Sequence, residues 1–271
     1  MTVPPDTTTN EVEPVHPKYP GGRVLSDGHV LYWWVEILAI LAYYGVYSFV
    51  RNANGANPPG AYPHAKQIIA LERHLGIFHE VAFQSWALHF KPLIISANYF
   101  YGSLHFIVTI FTGFFLYLKW SDDYPRFRNT LAISTGLALI GFKFYPLMPP
   151  RLLFTEGAHY AFVDTLAKYP TFWSFDSGGM SHLSNQFAAM PSVHICWATF
   201  CAVALVPRLR NRALKVLAFL YPFFTLIVIV ITANHYILDA VGGFLIFLVG
   251  WVVSGWFTRA GRGAKVAPAP A

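Results

Sequence analysis

ALKVLAFLYPFFTLIVIVITANHYILDAVGGFLIFLVGWVVSGWF occupies residues 213–257. Two apolar runs, 213–233 and 236–257, flank a polar interruption at Asn234 and His235, with Asp239 one helical turn further on. Each run has the ~20 mostly apolar residues that an α-helix needs to cross a bilayer. The stretch therefore predicts two transmembrane helices joined by a tight turn that carries a histidine. The rest of the chain is read outward from that hairpin.

The same signal recurs at 31–50, 93–118, 129–147 and 193–206 with its flanks, which makes six spans. The run at 193–206 is short, because Pro207 and Arg208 stop it, and it needs residues before Pro191 or a thin local bilayer to cross. Between the first two spans, Leu71, Leu75, Phe78, Phe83 and Trp86 alternate with Lys66, Glu72, Arg73, His74 and Glu80. That pattern predicts amphipathic helices along the membrane surface. The expected fold is all-α: a polytopic membrane protein built as a six-transmembrane-helix bundle, with amphipathic surface helices on its outer side. A membrane-embedded domain over 28–258 is expected between two disordered cytoplasmic tails. The first, 1–27, is rich in Pro, Thr and acidic residues and lacks the pattern of a signal peptide; the second, 259–271, ends in alternating Ala and Pro.

Composition agrees. Hydrophobic residues make up 55% of the chain and charged residues 12%, too apolar a balance for a soluble domain that must cover its surface with polar groups. The net charge of +6 sits in short clusters between apolar runs, where the positive-inside rule and anionic lipid account for it and nucleic acid does not. Cys196 and Cys201 fall five apart in one apolar run, point to different sides of a helix, and form no disulfide framework.

Orientation follows from the cations of short loops. Lys119, Arg126 and Arg128 follow the second span, Arg208, Arg210, Arg212 and Lys215 follow the fourth, and Arg259, Arg262 and Lys265 follow the sixth. Placing all three groups in the cytoplasm puts both termini there. It also brings three polar stretches to the extracytoplasmic face of the cell membrane: Lys143 to Arg151, Met190 to His194, and Asn234 to Asp239.

Their chemistry is legible in the spacing. His235 and Asp239 share a helical face, so the carboxylate can accept from one ring nitrogen and leave the other as a lone pair, as a nucleophile toward phosphorus requires. His194 is the candidate acid for the leaving oxygen, and Lys143, Arg151 and Ser192 are candidate partners of the phosphoryl oxygens. Asn234 and Tyr236 are candidate substrate contacts. Eight further histidines, His29, His64, His74, His79, His89, His105, His159 and His182, read as interfacial polar residues. The aromatics Tyr160, Phe162, Tyr169, Phe172 and Trp173 suggest a cap over the site or an entry for lipid chains.

At these residues, over roughly 60–257, the sequence resembles the type 2 phosphatidic acid phosphatase superfamily, and more closely its branch related to inositol phosphorylceramide synthases. The family's Pro-Ser-Gly-His motif is matched by Pro191, Ser192, Val193 and His194, and its His followed four positions on by Asp is matched by His235 and Asp239. The resemblance implies a six-helix core, a phosphohistidine intermediate, and no metal or other cofactor. Two departures stand out. Seven residues separate Lys143 from Arg151 where the phosphatase branch has six, with the prolines ahead of the Arg, and Val228 and Ile229 stand where that branch has Ser-Arg. One phosphate-binding cation is thereby missing, which suits a phosphodiester better than a more highly charged phosphomonoester. The Pro-Pro-Arg turn, Asn-His-Tyr, and the run from Asp239 to Gly243 resemble the inositolphosphotransferase branch.

The expected function is a metal-independent, membrane-embedded phosphotransferase. It acts on lipid phosphodiesters and passes a phosphoryl or phosphoinositol group to a lipid alcohol, so its partners are a phospholipid donor and a lipid acceptor. The alternative within enzymes is a lipid phosphate phosphatase acting on phosphatidate or a polyprenyl phosphate. The alternative of another class is a lipid transporter, against which stand the lack of an inverted repeat and the clustering of the candidates at one outer depth rather than at the midplane.

Overall fold

The computed structural model describes residues 17–52, 58–157, 160–171 and 186–263. Two compact units are distinguished, the first ending at Ala42. In the first, β1 (Gly22–Val24) pairs antiparallel with β2 (Val30–Tyr32), and Gly28, at φ 80°, closes the turn between them. Of the stretch expected as a tail, residues 17–27 are described and include β1; residues 1–16 lie outside the described residues. Helix α1 (Trp33–Asn52) follows and runs into the second unit.

Among its described residues the second unit is mostly helical. Its elements are α2 (Ala61–His74), α3 (Glu80–Leu88), α4 (Lys91–Tyr99), α5 (His105–Lys119), α6 (Tyr124–Phe144), the short α7 (Thr165–Lys168), α8 (Val193–Leu205), α9 (Arg212–Ile231) and α10 (Ile237–Gly263). A π-helical segment, Phe100–Leu104, joins α4 to α5, so that Lys91–Lys119 is one 29-residue helix. Among the described residues, four helices are long and apolar enough to cross a membrane: Trp33–Val50, Lys91–Lys119, Arg212–Ile231 and Ile237–Thr258. The other two expected spans are also helices. The first of these, α6, carries Arg126, Arg128 and Lys143 within its 21 residues. The second, α8, has 13 residues, about 20 Å at 1.5 Å per residue and shorter than a hydrocarbon core of about 30 Å.

That short helix is the centre of the unit. It packs against α5, α6, α9 and α10, and Ile195, Cys196, Ala198, Phe200, Cys201 and Ala204 are all buried. A helix apolar on every side belongs inside a bundle. Close approach of α10 depends on glycine, since a β-carbon at Gly243 would overlap the carbonyl oxygen of Ser192. Backbone cannot yield as a flexible side chain does, so Gly243→Ala is expected to lower stability by roughly 1–3 kcal/mol, read as a lower midpoint of thermal unfolding in detergent. An unchanged midpoint would mean that α8 and α10 are not packed this closely.

Helices α2 and α3 turn apolar residues outward and two acids inward. Leu71, Leu75, Phe83 and Trp86 face outward, and Glu72 and Glu80 are fully buried. The reason lies at the start of α10, whose first amides need acceptors. The Ile237 amide donates to Glu80 Oε1 at 3.0 Å and the Leu238 amide donates to Glu72 Oε1 at 2.8 Å. At its other end α10 continues to Gly263, five residues into the expected second tail, while 264–271 lie outside the described residues.

Candidate active site

Three chain segments meet where α8 and α10 begin. The Ser192 amide donates to the Asp239 carbonyl at 2.9 Å, which ties the residue before α8 to the first turn of α10. Between α9 and α10 the chain turns through Ala233, buried at φ 54°, a left-handed conformation that costs a non-glycine residue about 1 kcal/mol or more. The Ala233 carbonyl accepts the amide of Arg151 at 2.8 Å and so brings in the Pro149-Pro150-Arg151 turn.

The histidines expected to act together do come together. The rings of His194 and His235 lie 5.5 Å apart, edge to face. His235 Nδ1 is 3.2 Å from Asp239 Oδ2, an oxygen that also accepts the Tyr236 amide at 3.0 Å. His235 and Asp239 are buried, while His194 is half-buried. Burial pushes His235 down to about 4; the Ala189 carbonyl works in the opposite direction, and the positive charge of Arg151 adds to the lowering. An imidazole in this setting is neutral at physiological pH.

The other expected residues divide. Arg151 is buried with each guanidinium nitrogen bonded: Nε donates to Asn234 Oδ1 at 3.0 Å, one terminal nitrogen to Asp164 Oδ2 at 2.7 Å, and the other to Gln186 Oε1 at 2.6 Å. Asp164 uses its other oxygen to cap α7 through the amides of Leu166 and Ala167. Asn234 is therefore a partner of Arg151, and its amide also donates to Thr232 Oγ1 at 2.8 Å. Tyr236 is fully buried with its hydroxyl donating to the Met148 carbonyl at 3.1 Å, a packing position. Ser192 is buried, and its hydroxyl has no hydrogen-bond partner among the described residues. Lys143 is exposed at the end of α6, its ammonium 5.9 Å from the centre of the Phe144 ring. Of the aromatics expected to form a cap, Phe162 is buried in a core cluster with Leu147, Met148 and Tyr236, while Phe172 and Trp173 lie outside the described residues.

One site residue escaped the sequence reading. His105 is buried 4.5 Å from the His194 ring and 5.4 Å from Trp197, ring centre to ring centre, with no hydrogen-bond partner for its Nδ1 among the described residues. Tyr101, one turn earlier in the π-helical segment, stacks on His194 at 4.2 Å. Two aromatic residues of one helix thus hold the His194 ring, at a kind of helical irregularity that often marks functional sites. The available signal was a titratable side chain in the middle of the apolar run 93–118, which is costly unless used. His159 and His182 lie outside the described residues.

A search of curated proteins and a search of solved structures each returned no match. A family model described as the PAP2 superfamily matches residues 66–253, a stretch that contains every residue of the constellation. That superfamily is generally one of phosphatases and phosphotransferases, and the apolar helices agree with an integral membrane protein that acts on lipids. On this match, which covers well over half of its length, the chain belongs to the PAP2 superfamily, and membership supports a function of the lipid phosphatase or phosphotransferase type.

Proposed function

We propose that the chain is a phosphotransferase that takes a phosphoryl or phosphoinositol group from a lipid phosphodiester, carries it on His235, and passes it to a lipid alcohol. The observation that carries this reading is the approach of His194 to 5.5 Å from a buried His235 that is itself bonded to Asp239. With Nδ1–H donated to Asp239, the Nε2 lone pair attacks phosphorus. The N–P bond forms as the bond to the first alcohol breaks, and His194 gives its proton to the departing oxygen. In the second half the acceptor hydroxyl returns a proton to His194, attacks phosphorus, and displaces His235. Six spans, with the site at the extracytoplasmic face and both termini in the cytoplasm, complete the reading; the grouping of Lys and Arg supports that orientation. No step calls for a metal.

Charge favours a diester over a monoester. Arg151 is already balanced by Asp164 at 2.7 Å, and the buried Ile229 stands where the phosphatase branch has a second cation. A donor with one negative charge asks less of such a site than one with nearly two. Purified protein in detergent should exchange the head group of phosphatidylinositol with a lipid alcohol and release little phosphate from phosphatidate. Phosphate release from phosphatidate without head-group exchange would identify a lipid phosphate phosphatase instead.

The depressed His235 gives a pH signature. The ring must be neutral to attack, and its protonated form grows only as pH falls through about 4, well below the ordinary 6.5. The acid limb of kcat/KM is therefore expected near pH 4, with little loss of rate between pH 7 and about 5. A limb near 6.5 would mean that the attacking ring is not the buried one.

A further inference from the structure

The two glutamates that meet the start of α10 belong to no motif, yet their geometry ties them to the site. Three consecutive amides, those of Tyr236, Ile237 and Leu238, donate to three carboxyl groups: Asp239 in the same turn, Glu80 from α3 and Glu72 from α2. Both glutamates are 0% exposed. Each uses Oε1 for its amide, and each Oε2 is sealed from solvent without a donor from any other described residue. Two fully ionised carboxylates, buried and bonded to adjacent amides of one turn, would leave both of those oxygens unsatisfied and their charges opposed, whereas one shared proton removes both costs.

We infer that Glu72 and Glu80, joined by a single proton between their Oε2 atoms, are a positioning pair that anchors the first turn of α10 and through it aims His235 and Asp239. The inference deepens the proposed function and rests on His235 being the attacking group. Burial, then the hydrogen bond to Glu80, pushes Glu72 up to about 9, in keeping with a proton retained at neutral pH. The titratable groups facing the pair are Asp239 and Tyr236 at the start of α10; Tyr160 acts on Tyr236, and His235 meets Asp239. Burial, and then the surrounding carboxyls beginning with Asp239, hold the Tyr236 hydroxyl well above its ordinary range, so it does not titrate with the pair.

The test uses the full chain in detergent, with infrared spectroscopy and single-turnover labelling from phosphatidylinositol carrying labelled phosphorus. Wild type should show the carbonyl stretch of a protonated carboxylic acid at neutral pH, and Glu72→Gln should lose it. Glu72→Gln keeps both an acceptor for the Leu238 amide and a donor toward Glu80, so its labelling rate should stay within about threefold of wild type. Glu72→Ala removes both and should label about 10- to 100-fold more slowly per folded molecule, with KM unchanged, as expected for groups that orient a reactive side chain. Wild type should also lose activity above about pH 9 as the pair gives up its proton, and Glu72→Gln should not. A band that survives in Glu72→Gln, or wild-type labelling by Glu72→Ala, overturns the inference. An unlabelled wild type whose band disappears in Glu72→Gln overturns instead the assignment of His235 as nucleophile and leaves the anchored turn standing.

Discussion

Replacing His235 with asparagine should abolish transfer, lowering kcat/KM by about 10,000-fold or more while leaving the fold intact. Asparagine can still donate to Asp239 Oδ2, so the carboxylate keeps a partner, but an amide nitrogen has no lone pair with which to attack phosphorus. The corresponding change at His194 has a different fingerprint. An acid contributes about 100- to 10,000-fold, and its contribution shrinks when the departing alcohol is a good leaving group. A nitrophenyl phosphodiester should therefore restore much of the rate to His194→Asn and none to His235→Asn. Equal rescue of both variants would mean that neither ring is the nucleophile. Labelled phosphorus should accumulate on His194→Asn given such a donor, and never on His235→Asn.

The second large effect is on stability. Arg151→Ala should cost roughly 3–5 kcal/mol, because it leaves Asp164 buried without its counter-charge. It also strips acceptors from contact with their donor at Asn234 and Gln186 and loosens the cap of α7. Lysine should not rescue the variant, since one ammonium cannot reproduce three donors pointing to three acceptors in a fixed fork. Replacing Asp164 by Asn in the Arg151→Ala background should recover part of the loss by removing the orphaned charge. Thermal unfolding of the four proteins of this cycle in detergent reads the coupling directly. A loss below about 1 kcal/mol for Arg151→Ala would place that guanidinium in solvent.

What the sequence disclosed and what it withheld differ in kind. The hairpin around His235 was legible because a helix repeats every 3.6 residues, so His235 and Asp239 had to share a face, and the apolar runs on either side could only be helices. The approach of His194 followed from the placement of its motif at the start of one helix and of His235 at the turn into another. The partner of Arg151 was not legible: Asp164 lies 13 residues away on an irregular segment, where no periodicity relates one residue to another. The burial of Glu72 and Glu80 was not legible for a related reason. By composition a glutamate belongs on the wet face of a surface helix, and only the fold brings in the unsatisfied amides of Ile237 and Leu238 that draw both inward. His105 carried a weak signal, a titratable group inside an apolar run, which became specific once Trp197 and His194 surrounded it. The 13-residue α8 follows the same logic, since its limits are set by what encloses it.

The contacts from α2 and α3 to α10 also bear on how the protein is made. Glu72 meets an amide 166 residues downstream and Glu80 one 157 residues downstream. During synthesis both acids leave the ribosome long before these partners exist. The proposed site is thus complete only once α10 has been made and its leading amides meet the two acids already in place.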